Sequence, residues 1–278
     1  MKMFLYLVAL GLLSACSGLE PPLKTQLVVE GWIDSGGHPM VLVSETMGIG
    51  GGDIRREDMI GNIAKWAKVT VSDGQTSEIL TGTVDPRYFP PYVYTTSRIT
   101  GEVGKTYTVD VEYKDYHATA TTTIPDPVPL DTLYCVPLRD TLYRVMCGFT
   151  DPPEKGNYYK VFTQTLGKDL RYQPSVMAMA SDEVFDGYAE IYLWSTQRLT
   201  QHLYFPDICE GDELMVKFCT MDRGTFRFWE NYEITLASNV NSFYQFDSDL
   251  GANVHGALGY WAGYGVSEYH ISVRPPEP

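Results

Sequence analysis

The chain has 278 residues, of which 44% are apolar and 13% aromatic, a composition typical of folded globular proteins and not of disordered or collagen-like ones. Its 35 Asp and Glu residues outnumber its 21 Lys and Arg residues, which gives a net charge of −14. A surface this acidic repels phosphate backbones, so no nucleic acid partner is expected. The length suggests about two domains.

The first 15 residues have the pattern of a bacterial lipoprotein signal peptide. One lysine precedes an apolar segment over residues 4–13, which is too short to span a bilayer. The segment ends in Leu-Ser-Ala-Cys, and Cys16 stands where a lipobox places the acylated cysteine. We predict cleavage before Cys16, lipidation of Cys16 and a tether over residues 16–26. A plain secretory signal with an incidental cysteine is the alternative.

The lipid on Cys16 predicts a protein that is tethered to a membrane and otherwise water-soluble. Ser17 directly after the cysteine resembles the sorting signal for the outer membrane. Glu20 is the only acidic residue close to Cys16, whereas surface-exported lipoproteins usually carry an acidic cluster there. Whether the protein faces the cell surface or the periplasm therefore stays open.

Residues 27–125 are predicted to form an immunoglobulin-like β-sandwich. Apolar and polar residues alternate in short runs, and glycines and an Asp-Gly pair separate the runs about every ten residues. The predicted strands include residues 27–33, 69–72, 104–111 and 117–124.

Three prolines at residues 125–129 mark a domain boundary, since proline is excluded from central strands and stiffens a linker. Residues 126–278 are predicted to form a second β-sandwich-like domain, so the fold class is all-β. Further strands are expected at residues 142–149, 158–164, 189–194 and 214–218. Residues 225–238 carry Phe226, Trp229, Glu230, Glu233 and Leu236 at helical spacing, which predicts one packed α-helix.

Four cysteines remain after Cys16, and in an exported protein an even number permits disulfides. They allow three pairings that the sequence does not choose between. A Cys209–Cys219 bond is disfavoured because a predicted strand lies between its two members, whereas Cys135–Cys147 has room for a turn. Buried, unpaired thiols are the alternative.

The segment from Gly256 to Tyr269 interleaves glycines with aromatic residues. Glycines permit close backbone approach, and exposed aromatic rings stack on sugars or dock protein partners. Tyr260, Trp261 and Tyr264 are therefore our candidate ligand or partner contacts. The alternative is a tightly turned terminal strand pair whose aromatic side chains fill the core.

No catalytic spacing is present. The five histidines form no HxH or HExxH motif, and the Gly-x-Ser-x-Gly elbow is missing. Residues 247–251 begin like a Ca²⁺ loop, but Leu258 stands where the closing carboxylate belongs. We expect no metal, no cofactor and no enzymatic activity.

Several stretches, in their order along the chain, resemble a known family. They are residues 27–33, 104–107, 123–125, 157–159 and 253–264. Together with the lipobox they resemble the domain-of-unknown-function 4249 family of Bacteroidetes lipoproteins, although Ala257 and Trp261 replace a Gly and a Phe that are common there. The resemblance implies a role in nutrient uptake beside a TonB-dependent transporter and its companion lipoprotein. It supplies no catalytic residues.

We therefore expect a non-enzymatic binding or scaffolding component of the outer membrane. Two alternatives stay open. A structural or adhesive surface subunit would present an exposed strand edge for assembly. A hydrolase of glycans or peptides would place two carboxylates opposite each other across a cleft.

Overall fold

The computed structural model describes residues 25–46, 60–185, 187–193, 207–238 and 253–275. These residues form 15 strands and, described from end to end, one helix. In these ranges, no helix has the length and apolar character needed to cross a bilayer. The predicted signal peptide, Cys16 and most of the predicted tether lie outside the described residues, as does the Ca²⁺-like segment at residues 247–251.

The N-terminal half contains eight strands, and the alternation of apolar residues explains them. In the first strand Leu27, Val29 and Ile33 are fully buried on one face. The strands are β1 (Leu27–Asp34), β2 (Met40–Glu45), β3 (Lys68–Ser72), β4 (Ser77–Ile79), β5 (Thr81–Thr83), β6 (Val93–Thr95), β7 (Thr106–Tyr113) and β8 (Tyr116–Thr123).

The C-terminal half contains seven strands and the helix. Asp222 caps the helix: its carboxylate accepts a hydrogen bond from the Thr225 backbone N–H at 2.7 Å, which satisfies one of the free donors of the first turn. The elements are β9 (Thr132–Arg139), β10 (Leu142–Thr150), β11 (Tyr158–Thr165), β12 (Gln173–Ser181), β13 (Tyr188–Leu193), β14 (Glu213–Met221), α1 (Arg223–Ser238) and β15 (Leu258–Ser272).

One large sheet runs through both halves of the molecule. It has eight strands in the order β12-β11-β14-β15-β1-β2-β6-β5. The first part of β15 pairs in parallel with β1, and its second part pairs antiparallel with β14. Strand β15 therefore connects the N-terminal half to the C-terminal half through continuous backbone hydrogen bonding.

The inner face of this sheet is covered by two smaller sheets, each enclosing its own hydrophobic core. The four-stranded sheet β4-β3-β7-β8 covers the N-terminal part, and the three-stranded sheet β13-β10-β9 covers the C-terminal part. A third cluster lies on the outer face beneath α1. The all-β, sandwich-like fold with one packed helix is thus confirmed, and α1 covers the predicted residues 225–238.

The aromatic-glycine segment forms one strand of 15 residues and not a turned strand pair. Its glycines allow backbones to pack closely, and they do not reverse the chain. A Cβ at Gly259 (φ 109°) would lie 2.0 Å from the carbonyl oxygen of Val29, and one at Gly265 would lie 2.4 Å from that of Pro125. Side chains larger than hydrogen are therefore excluded at both positions.

The predicted boundary near residue 125 stays a prediction, but the two cores do not divide the chain cleanly there. Val254 and Trp261, close to the C-terminus, belong to the N-terminal core. This follows from the parallel pairing of β15 with β1, which brings the end of the chain back to its beginning.

All four cysteines of the two halves are unpaired thiols in this structure. This agrees with the alternative of unpaired thiols and not with a disulfide. Cys147 and Cys219 are fully buried, whereas Cys135 and Cys209 are partly exposed. Burial raises the pKa of Cys147 to about 12, which disfavours its thiolate.

Candidate functional site

The two halves meet on the outer face of the large sheet, where charged and aromatic side chains gather beside α1. Strand β1 contributes three of these side chains, because residues of even number on β1 point away from the core. Strand β14 contributes one, and two loops contribute the rest. We call this group the junction cluster; it consists of Glu30, Trp32, Asp34, Tyr88, Arg171, Tyr172 and Lys217.

A buried ion pair lies at its centre. The Lys217 ammonium group is 2.8 Å from Oδ2 of Asp34, although the two residues are 183 positions apart in the chain. The same ammonium lies over three aromatic rings, 5.2 Å from the centre of Phe162, 5.4 Å from Tyr172 and 5.7 Å from Tyr264. Such cation–π contacts favour a charged lysine in a desolvated place.

The protonation of Lys217 reflects two opposing effects. Burial lowers the pKa of this lysine, but the neighbouring groups, with Asp34 foremost, outweigh burial and raise the pKa above 10.5. Lys217 therefore carries its charge at physiological pH. Asp34 uses only one oxygen in this pair: its Oδ1 is buried, and it has no hydrogen-bond partner among the described residues.

Two loops from opposite halves also touch at the cluster. The Arg171 guanidinium stacks on the Tyr88 ring at 4.8 Å and donates a hydrogen bond to the Arg87 carbonyl oxygen at 3.2 Å. Tyr88 in turn packs against Trp32, with 5.9 Å between the ring centres. Arg171 thus ties the loop before β12 to the loop before β6.

Glu30 is the exposed carboxylate of the cluster. Surrounding protein raises the pKa of Glu30 by desolvation, and the positive charge of Arg171 lowers it in part. Glu30 is thus an acidic group of the junction cluster that solvent can reach.

Helix α1 packs on β15 beside the cluster. The Trp229 indole N–H donates a hydrogen bond to the Tyr264 hydroxyl at 2.8 Å, and the Phe228 ring lies 4.4 Å from that of Tyr260. Lys160 on β11 forms a second buried ion pair, 2.8 Å from Glu233 of the helix. Burial lowers the pKa of Lys160, and Glu233 raises it only in part.

The predicted contact residues lie inside the protein. Tyr260 and Tyr264 are buried on the outer face beneath α1, and Trp261 points to the opposite side into the N-terminal core. The Trp261 indole N–H donates to the Tyr107 carbonyl oxygen at 2.9 Å. The alternative interpretation, that these rings fill a core, is the one their positions fit, because none of the three presents a face to solvent.

Sequence reasoning missed Asp34, Arg171 and Lys217. Asp34 ends a strand that was predicted, but its partner is set by the order of strands in the sheet, which no local pattern reveals. Among the described residues, no three His, Cys, Asp or Glu side chains converge in a way that holds a metal ion. The cluster supplies aromatic rings, one ion pair and one exposed carboxylate, groups that are typical of a binding surface.

The comparison with known proteins gives weak structural similarities and one family. No curated protein matches the chain. A solved chain titled "Cytokine receptor complex - Crystal form 1A" is 8% identical with a TM-score of 0.25, over 90% of this chain and 97% of that chain. The FN1–FN3 domains of chicken CNTN1 are 10% identical with a TM-score of 0.24, over 72% and 62% of the two chains. The model of a family described as a domain of unknown function, DUF4249, matches residues 19–270, and the chain therefore belongs to that family.

Proposed function

We propose that this protein is a lipid-anchored, non-catalytic binding or scaffolding component of the outer membrane that acts beside a TonB-dependent transporter in nutrient uptake. The observation that carries the proposal is the junction cluster. Its Asp34–Lys217 pair and its Arg171–Tyr88 contact bind the two halves to each other. Such an arrangement supports a rigid surface, and the exposed Glu30 gives that surface a polar contact point.

The chemistry of the buried groups favours binding over catalysis. Both buried lysines are paired with carboxylates, and burial raises the pKa of the Cys147 and Cys219 thiols. A nucleophilic lysine or cysteine needs its pKa lowered and its side chain accessible. Lys160 has a lowered pKa, but its side chain is only 1% exposed and is paired with Glu233, so it is not accessible. The pKa values of the other three groups are raised.

The carboxylates of the cluster do not have the geometry of a glycosidase. Glu30 and Asp34 are four residues apart on one strand, which separates their Cα atoms by about 13 Å. Paired catalytic carboxyl groups lie about 5 to 9.5 Å apart. Asp34 is in addition held by Lys217. The hydrolase therefore stays the weaker alternative.

The proposal takes its membrane anchor from the sequence. The lipobox ends at Cys16, and a diacylated or triacylated cysteine anchors a chain stably because each buried CH₂ contributes about 0.8 kcal/mol. The prolines at positions 21 and 22 fit the composition of a stiff tether.

Expression of Cys16→Ala beside the wild type in the native host tests the proposal. We expect the wild type in the outer-membrane fraction, and we expect a TonB-dependent transporter, identified by mass spectrometry, to co-purify with it in mild detergent. The Cys16→Ala chain should lose membrane association, whereas the control Cys209→Ala should keep it. An unmodified Cys16 in the wild type, or purification without any transporter, would contradict the proposal.

A structural or adhesive subunit is the remaining alternative. Strand β9 is an edge strand of the three-stranded sheet, and most of its side chains are exposed. Edge strands can pair with a further chain. Pro137 interrupts this edge because proline has no backbone N–H to donate, which works against pairing along the whole strand.

A further inference from the structure

A second candidate site lies on the outer face of the three-stranded sheet, away from the junction cluster. Three tyrosines are exposed there: Tyr134 by 41%, Tyr188 by 53% and Tyr192 by 38%. Glu190 and Arg144 stand among them on the same face, because β9, β10 and β13 are in register and alternate residues point outward. We call these five residues the tyrosine face.

Hydrogen bonds fix the tyrosine rings. The hydroxyls of Tyr134 and Tyr188 both donate to Oε1 of Glu190, at 3.0 and 2.9 Å. The Thr132 hydroxyl lies 3.2 Å from that of Tyr188. Two aromatic rings therefore converge on one carboxylate from two strands, and no hydrogen bond from another described residue engages Oε2 of Glu190. Rings that are already held in place lose little conformational entropy when a ligand stacks on them.

A glycine at the centre of the sheet makes this arrangement possible. A Cβ at Gly148 would lie 2.2 Å from the Tyr188 hydroxyl oxygen and 2.3 Å from Oγ1 of Thr132. Any other residue at this position would push the tyrosine hydroxyl away from Glu190. Gly148 thus leaves the space into which the Tyr188 side chain leans across the sheet.

The charges of the tyrosine face balance. Glu190 supplies one negative charge, and the Arg144 guanidinium supplies one positive charge 5.1 Å from the centre of the Tyr192 ring. The chain as a whole is strongly acidic, so anionic ligands are repelled. A neutral ligand rich in hydroxyl groups fits this surface, since its hydroxyls can pair with Glu190 while its C–H groups pack on the rings.

The size of the face also favours a small ligand over a protein. The five residues cover about 10 Å across the three strands and about 13 Å along β13 from Tyr188 to Tyr192, a footprint of about 130 Å². Met146 and Val136 lie beside them on the same face. A standard protein interface buries about 800 Å² on each partner.

We propose that the tyrosine face is a carbohydrate-binding site for a neutral oligosaccharide. The rings of Tyr134 and Tyr188 stack on sugar rings, and the Glu190 carboxylate accepts hydrogen bonds from sugar hydroxyls. This site is separate from the junction cluster, and it does not depend on Cys16 or on a transporter.

Isothermal titration of the full chain in detergent with four neutral probes tests the site: cellohexaose, maltohexaose, xylohexaose and mannohexaose. At least one probe should bind with a Kd below about 1 mM. Tyr188→Ala and Tyr134→Ala should each weaken that binding at least about tenfold. Tyr188→Phe keeps the ring and loses the hydroxyl, so its effect should be smaller. Trp66→Ala, which removes an aromatic side chain that is 91% exposed elsewhere, should change nothing.

Three results would overturn the inference. One is that none of the probes binds the wild type. Another is that binding survives both alanine substitutions, or that Trp66→Ala weakens it as much as Tyr188→Ala does. The third is that the wild type self-associates and Tyr188→Ala abolishes this association, which would make the face a protein interface. Unchanged thermal unfolding of Tyr188→Ala and Tyr134→Ala verifies that the fold of these variants is intact. None of these results bears on membrane anchoring by Cys16.

Discussion

The two buried lysines of the outer face lie on neighbouring strands but differ in what their charges do. Lys160 on β11 pairs with Glu233 of α1, and Lys217 on β14 pairs with Asp34 of β1. Both side chains are more than nine-tenths buried. Burial lowers the pKa of Lys160, whereas the surroundings of Lys217 raise its pKa despite burial.

The difference indicates that the groups around a buried lysine decide whether its charged form is favoured. Lys160 has one carboxylate, the Ser175 carbonyl oxygen at 3.2 Å and the Trp229 ring at 4.9 Å, and these do not compensate for its desolvation. Lys217 has Asp34, a further attraction from Glu268 and three aromatic rings. The well-surrounded charge is the one that joins the two halves of the chain, and the other holds the helix.

The largest expected effect follows from removing the charge of Lys217. Lys217→Met leaves Asp34 as an unpaired, partly buried carboxylate, and we expect the free energy of unfolding to fall by about 3 to 5 kcal/mol. Lys160→Met should lower it by only about 1 to 2 kcal/mol, because removing a charge that burial disfavours recovers desolvation free energy, which offsets part of the cost of leaving Glu233 without its partner. Urea unfolding followed by tryptophan fluorescence measures both values.

Lys105→Met provides the control for that comparison, since its ion pair with Glu102 is exposed and should contribute at most about 1 kcal/mol. Equal losses for Lys217→Met and Lys160→Met, or a larger loss for Lys160→Met, would show that the two pairs do not differ in the way their surroundings indicate.

At alkaline pH the contributions of the two lysines to the free energy of unfolding should change in opposite directions. The folded-state pKa of Lys160 lies below 10.5, so between that pKa and 10.5 the unfolded chain binds more protons and the contribution of Lys160 to stability rises with pH. The folded-state pKa of Lys217 lies above 10.5, so its contribution is present below 10.5 and is lost as pH rises through the folded-state pKa. Each unit of pKa shift corresponds to about 1.4 kcal/mol.

Free energies of unfolding at about pH 9 and about pH 11.5 measure this difference. The difference in free energy of unfolding between the wild type and Lys160→Met should grow with pH. The difference between the wild type and Lys217→Met should shrink. The buried tyrosines titrate in all three proteins, so their effect cancels in the differences. If both differences in free energy of unfolding change in the same direction with pH, the two pKa shifts do not have opposite signs.

The sequence predicts the local elements of this fold well. Strands such as β1 and β7 follow from the alternation of apolar residues, and α1 follows from the spacing of Phe226, Trp229 and Glu233. These features depend on residues close together in the chain. The all-β class follows from them directly.

Features that depend on distant residues were not predictable. The glycines of β15 have the composition of turns, yet Gly259 and Gly265 serve close packing of neighbouring backbones. The parallel pairing of β15 with β1, and with it the Asp34–Lys217 pair, depends on how the sheet is ordered. The tyrosine face likewise combines three strands whose order the local patterns leave open.

The most direct test of the link between the two halves is a double-mutant cycle on Asp34→Asn and Lys217→Met. A coupling energy of about 1.5 to 3 kcal/mol is predicted for this pair. The exposed pair of Lys68 and Glu112, 2.7 Å apart against 2.8 Å for Asp34 and Lys217, serves as the matched reference and should give less than about 1 kcal/mol. Additive effects at Asp34 and Lys217, within about 0.5 kcal/mol, would contradict a stabilising ion pair between the halves.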